Sequence, residues 1–276
     1  MEPRTRDCWR RVLSVLVLSG AAAATGTGCD SLGGARAMND DSILSIVAPP
    51  SASDAAAMMT DQYSADNRVR GLAIIASEPY GGEDAYVQWY EVALEDSDPA
   101  VRSAAVRALG RHGEPRHVPM IVKLIDDPDP TLRWEVVRTL QRLHNPVAIG
   151  PLLDRVRART ETVPDVRAGA ATALGQYADA RVVDGLITAL DDRELLVNRA
   201  ARQSLVTLTG QDFEYDVRSW LGWKDSTGNL FAARGEYVFP AFHRSAEWWE
   251  VVVPWLGPPN EASESPVGMA SSDGGG

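Results

Sequence analysis

Val101-Arg-Ser-Ala-Ala-Val-Arg-Ala-Leu109 returns, altered but in phase, as Leu132-Arg-Trp-Glu-Val-Val-Arg-Thr-Leu140. It returns again as Val166-Arg-Ala-Gly-Ala-Ala-Thr-Ala-Leu174 and as Val197-Asn-Arg-Ala-Ala-Arg-Gln-Ser-Leu205. An earlier, degenerate copy reads Val69-Arg-Gly-Leu-Ala-Ile-Ile-Ala76, so the starts lie 32, 31, 34 and 31 residues apart. A period in this range marks a stacked repeat array. Within each copy the apolar positions fall three and four apart, as Val101, Ala104, Ala105, Ala108 and Leu109 do, which predicts one buried stripe on a helix.

Start signals agree with that reading. Asp98-Pro99 and Asp129-Pro130 place a capping carboxylate before a proline at the first helical position. Asp66 and Glu194 are read as the equivalent caps in two other copies, and Val163 stands at that position before Pro164. Gly110, Gly175, Gly210 and Asn145-Pro146 read as stops. Between these helices run second apolar segments, Tyr86–Leu94, Val118–Ile125, Val147–Val156 and Val182–Leu190, three of them ending in an acidic turn such as Asp126-Asp127-Pro128-Asp129. Neither helix of such a unit buries its stripe alone; stacking the units makes one continuous core.

The unit resembles the short bacterial HEAT repeat, related to the repeats of phycobilin lyases, with its Asp-x-x-Pro-x-Val-Arg-x-x-Ala-x-x-Ala-Leu-Gly pattern. The likeness spans residues 61–223. It implies an all-α fold, a right-handed α-solenoid of stacked antiparallel helix pairs. It also implies a ladder of turn carboxylates and arginines along the stack: Asp96, Asp127 and Asp192 with Arg70, Arg102, Arg133 and Arg167. Asn198 departs from the pattern, so the ladder is expected to end there. In the family the Val-Arg helices line the concave face. Helical spacing turns the second and sixth residues after each leading Val away from the buried stripe. These are Ser103 and Arg107, Trp134 and Arg138, Ala168 and Thr172, Arg199 and Gln203. A Trp among arginines is the composition of interface hot spots, so Arg107, Trp134, Arg138, Arg199 and Gln203 are the candidate partner-binding residues. The alternative is a solvated face with Trp134 folded onto its neighbours.

After Gly210 the pattern changes. Residues 211–223 read as a short helix capping the stack, and residues 224–258 as an irregular, aromatic-rich extension packing back on the solenoid. Residues 259–276, ending Ser-Ser-Asp-Gly-Gly-Gly, read as disordered. At the other end, Arg4, Arg6, Arg10 and Arg11 precede an apolar run from Val12, an alanine stretch and Gly26-Thr27-Gly28-Cys29. Residues 1–28 therefore read as a signal peptide. The last four residues resemble the lipobox of bacterial lipoproteins, with Gly26 where that family usually has an aliphatic residue. The resemblance implies acylation of Cys29 and a tether over residues 29–60.

The whole chain has 276 residues and a formal net charge of −11, with two Cys and four His. Removal of the leader, four Arg against Glu2 and Asp7, leaves −13. Such a body does not suit non-specific nucleic-acid binding, and anionic lipid repels it, so acyl chains must hold it at the membrane. His112, His117, His144 and His243 form no metal-binding spacing, and no phosphate loop or nucleophile elbow is present. The sequence thus points to a non-catalytic, cofactor-free interaction scaffold, tethered on the extracytoplasmic side and binding a protein partner. The alternative is a lyase-like or ligand-binding protein holding a small molecule in a groove. If Cys29 carries the anchor, Cys29→Ser releases the protein from membranes into the soluble fraction; retention of that variant identifies an uncleaved N-terminal anchor.

Overall fold

The computed structural model describes residues 50–241 and 262–269. Cys29, the leader, the tether before residue 50, His243 and Trp248, Trp249 and Trp255 lie outside the described residues. The described part falls in one unit, Pro49–Gly276, and none of its helices is long and apolar enough to cross a membrane.

The fold is an all-α solenoid. Helix α1 (Ala52–Met59) opens it, capped by the Ser51 hydroxyl. These residues, read above as tether, are seated on α2 (Ala65–Ser77): Ala55 and Met59 are buried, and the backbone of Met59 occupies the space a side chain at Gly71 would need. The first helices of the repeats form one layer, in which α2, α4 (Pro99–His112), α6 (Pro130–Leu140), α8 (Pro164–Leu174) and α10 (Leu195–Thr209) each pack on the next. The second helices, α3 (Asp84–Ala93), α5 (Val118–Val122), α7 (Ile149–Arg155) and α9 (Ala180–Ala189), back that layer. A 3₁₀ turn precedes each of α5 and α7, started by Pro115 and Pro146; the second takes up the first part of the run Val147–Val156, whereas α5 begins with its run at Val118 and ends at Val122, before turn residues from Lys123.

Ala105, Leu109, Val136, Leu140, Ala170, Leu174, Ala201 and Leu205 are fully buried and form the continuous stripe. Asp98 and Asp129 cap α4 and α6, accepting from Ala100 and Thr131 N–H at 2.8 and 2.7 Å. Two expected details are corrected. The cap of α2 is Ser64, not Asp66. Gly110 does not stop its helix: α4 runs on to His112, and Gly110 instead admits Thr139, whose hydroxyl donates to Val106 O at 3.1 Å. Gly175 and Ser204 repeat that contact on Ala171 O at 2.8 Å. Gly210 does end its helix, in the left-handed conformation.

Four residues after each N-cap stands a side chain that ties its repeat to the next. Arg68 binds Asp96 through two bonds of 2.8 and 2.9 Å, Arg133 binds Glu161 at 2.7 and 2.9 Å, and Arg167 binds Asp192 at 2.9 and 2.9 Å. Arg102 reaches Asp127 at 2.6 Å. Each of these arginines also donates from Nη1 into its own turn, to the carbonyls of Asp61, Asp96, Asp127 and Glu161 respectively. Each turn carboxylate in turn accepts the N–H two residues on, as Glu161 does from Val163 at 2.9 Å. The rung of α2 is thus Arg68, while Arg70 is exposed, because the cap lies two residues earlier than the sequence suggested. Glu161 is the carboxylate the sequence reading missed, although it lies six residues before Arg167, as Asp127 does before Arg133. Asn198 keeps the carbonyl half of the motif, donating to Asp192 O at 3.0 Å, and its amide reaches no further carboxylate.

The last repeat is capped by α11 (Val217–Ser226), whose Trp220 is fully buried against the edge of Phe213 and donates to Glu214 O. The chain then returns along the stack. Gly235 N–H donates to Thr207 O at 2.7 Å and Arg234 to Gln176 O at 2.8 Å, while Tyr237 and Phe239 are buried. Strand β1 (Phe239–Ala241) pairs antiparallel with β2 (Ala262–Glu264), and Val267 forms a bridge to Leu143 at the end of α6. Residues 262–269 therefore hold defined structure where a disordered tail was expected; their backbone bonds to Arg142 O and His144 N supply the order.

Leu109→Ala should cost about 2–5 kcal/mol, read by urea denaturation; an unchanged midpoint overturns the register. Arg133→Ala leaves Glu161, 1 % exposed, with only Arg155 at 3.8 Å, and should cost about 3–5 kcal/mol. Burial pushes the Asp96, Glu161 and Asp192 carboxyls up, but the arginine and turn N–H bonds outweigh it and hold all three below their ordinary values. Carboxylates depressed in the fold add stability that is complete above the ordinary values of 3.8 for Asp and 4.5 for Glu. That stability is lost as pH falls through the folded values. Thermal scans should show a steep acid limb there, shallower in Glu161→Gln.

Candidate functional site: a cationic groove

Helices α6, α8 and α10 present their remaining face to a cavity of about 790 Å³. Trp134, Arg138, Arg199 and Gln203, four of the five expected partner-binding residues, all line it, as do Ala168 and Thr172. Their gathering follows from the helix layer: the same register positions on successive helices face one side. The face is not uniformly solvated, since Ser103 and Ala168 are buried at the seams between helices. Arg107 lies in a neighbouring cavity of about 260 Å³ between α4 and α6. There it is held by the buried Glu135 carboxylate through bonds of 3.0 and 2.5 Å.

Trp134 is half-buried and carries Arg138 over its ring, 4.6 Å from the centroid. At this distance the guanidinium is attracted by the ring face and the pair is ordered together. Arg142, in the turn just after α6, lies over Phe239 at 5.3 Å. Burial, then the neighbouring charge of Arg138, lowers its pKa from the ordinary value, which leaves it charged at neutral pH. Arg202 is paired with Asp212 at 2.6 Å and covers Tyr215. Arg138, Arg142 and Arg199 make no ion pair among the described residues. Among the described residues Asp165 and Asp212 are the only carboxylates lining the groove. Exposed Leu196 and Tyr215 add apolar surface. The groove is therefore locally cationic in a chain of net charge −11.

The sequence reading missed Arg142, Leu196, Tyr215 and Phe239. Arg142 was reachable by extending the Arg138 row one helical turn. Phe239 enters from the returning C-terminal strand, for which no periodicity gave notice. The three described histidines bond within the fold: His112 to Ala76 O at 2.8 Å, His117 to Glu91 at 3.0 Å and His144 to Gln176 at 3.0 Å. Among the described residues no three metal-binding side chains cluster.

Comparison with known proteins agrees with this geometry. HEAT repeats match over residues 87–163, and the PBS lyase HEAT-like repeat matches over residues 166–192. The repeats over residues 87–163 and 166–192 match HEAT repeats. No curated protein sequence matches the chain. Among solved structures, an engineered protein is similar at 22 % identity, covering 56 % of this chain and 78 % of its own, with a TM-score of 0.46. The designed armadillo repeat protein YIII(Dq)4CqI is similar at 15 % identity over 66 % of this chain and 95 % of its own, with a TM-score of 0.47. The complex of CpcE and CpcF of phycocyanin lyase from Nostoc sp. PCC7120 is similar at 18 % identity over 64 % and 82 %, with a TM-score of 0.39.

If the groove residues bind rather than build, removing them spares the fold. Arg138→Ala and Arg199→Ala should each change stability by less than about 0.5 kcal/mol, in contrast to Arg133→Ala. A large loss in either assigns it to the scaffold.

Proposed function

We propose that this HEAT-repeat chain is a non-catalytic scaffold that binds a segment of a protein partner in the groove of α6, α8 and α10. The observation that carries the reading is the convergence, in one cavity, of three arginines without ion pairs, a half-buried Trp134 and an exposed Leu196. Aromatic and arginine side chains ordered before binding contribute affinity with little entropic loss. The groove sits on a continuous helix layer, where repeat proteins offer extended binding surfaces. Membrane tethering through Cys29 on the extracytoplasmic side completes the proposal, on the strength of the leader and the lipobox-like residues. The volume of about 790 Å³ also falls within the ~300–1,000 Å³ range of small-molecule sites, which favours a ligand-holding groove as the second reading.

Cross-linking mass spectrometry in native envelopes tests this, wild type beside Arg138→Glu/Arg199→Glu. Arg107 is left intact because a glutamate there would face the buried Glu135. A stoichiometric partner present in wild type and lost in the variant supports the scaffold. A partner retained in both moves the site off the groove. A co-purifying small molecule, with no partner in either, supports the second reading.

A further inference from the structure

Arg107 and Arg111 stand one turn apart on α4, and 31 residues later Arg138 on α6 and Arg142, in the turn just after it, repeat the pair. All four line the cavity of about 260 Å³, whose walls are otherwise mostly small residues such as Ala76 and Ala104. Among the described residues Glu135 is its only carboxylate, and that group is already bound to Arg107. Arg111 donates to Ser77 O at 3.2 Å and makes no ion pair among the described residues. The lowered pKa of Arg142 comes first from burial, then from Arg138; Glu264 and Glu135 oppose it, and Arg111 adds a smaller push in the same direction as Arg138. These guanidiniums therefore repel one another, and the repulsion is relieved by an anion between them. Arg138 and Arg142 also line the larger groove, where Arg199 extends the charge to α10. One cationic row thus crosses α4, α6 and α10, interleaved with Trp134 and Leu196.

Resting on the protein-binding reading above, we propose that the row recognises an extended acidic segment of the partner. Its carboxylates would pair with Arg111, Arg138, Arg142 and Arg199, and its apolar side chains would rest on Trp134 and Leu196. Spacing favours a peptide over a single small anion. Packed helices stand ~8–10 Å apart and an extended chain rises ~3.3 Å per residue, so carboxylates about three residues apart meet α4 and α6, and one about six residues further meets Arg199 across α8. The remaining surface of a chain with net charge −11 repels such a segment, which steers it to the row. Planar guanidiniums match carboxylates in two-bond geometry.

The test uses the full chain and a fluorescein-labelled peptide of Glu-Gly-Phe repeats, with counterparts carrying Gln or Lys in place of Glu. Fluorescence anisotropy should show the Glu peptide binding about tenfold or more tighter than the Gln peptide, with the Lys peptide unbound and the preference shrinking with salt. Arg138→Gln/Arg142→Gln/Arg199→Gln should abolish that preference while the melting midpoint stays near wild type. Equal binding of Glu and Gln peptides, lost in a Trp134→Ala variant, overturns the charge inference and leaves a peptide groove standing. Glu-peptide binding unchanged in the triple arginine variant overturns the row itself. Binding of none of the peptides overturns the acidic-segment inference, and the cross-linking comparison then decides the groove reading alone.

Discussion

Every inter-repeat junction from α2 to α10 depends on a turn carboxylate, buried at Glu161 and partly buried at Asp96, Asp127 and Asp192, that makes two kinds of contact. It accepts a backbone N–H of its own turn and a guanidinium from the repeat before. The guanidinium in turn clamps the carbonyl at the head of its own helix, so each turn's acceptors are shared between two arginines, one from the repeat before and one from its own helix, as Arg102 and Arg133 share Asp127. Apolar stripes alone would allow neighbouring helices to slide by a turn, since Ala and Leu recur along each of them. A two-bond Arg–carboxylate contact is directional and fixes both the axial position and the rotation of each repeat. The groove is a product of that registration, because residues from three helices share a wall only if the helices are held in phase.

The stack has a longer period than the single repeat. Measured between rung residues, the intervals alternate 34, 31, 34 and 31, so equivalent features return every 65 residues. Arg102 and Arg167, Gly110 and Gly175, and Thr139 and Ser204 are such pairs. The glycine contacts therefore occur at every second junction, where a hydroxyl crosses to the neighbouring helix backbone. At the junction between them, Gln141 makes the crossing, donating to Gly169 O at 3.2 Å. Along the groove row the equivalence lapses: Arg107 and Arg111 give way to Thr172 on α8 and to the buried Gln176 just after it. The buried positions repeat because each junction needs the same contacts, whereas the groove positions differ helix by helix.

How much of this the sequence made legible depends on the kind of residue. Helices and their order followed from three-and-four spacing, and the starts of α4 and α6 from Asp-Pro pairs. The first repeat was set two residues out of register because Asp66 resembles its counterparts, while the hydroxyl of Ser64 does the capping. Glu161 was passed over because the third turn has no aspartate in the usual place. At the site, the row of Trp134, Arg138, Arg199 and Gln203 was accessible from helical geometry. The engagement of Arg107 by Glu135 was not, since it joins two helices across a junction. The wall contributed by Phe239 depends on a return of the chain over long sequence separation, which local pattern does not encode.

That return has a consequence for the order in which the molecule is assembled. Most contacts in a solenoid join neighbours in sequence, and such arrays fold quickly and by propagation. The bridge from Val267 to Leu143 and the bond from Arg234 to Gln176 are of much higher contact order. As the chain emerges from its N-terminus, α1 to α10 can stack before residue 262 exists. The groove therefore lacks its Phe239 wall until the C-terminal strand pair closes, so the binding surface is the last part of the molecule to mature.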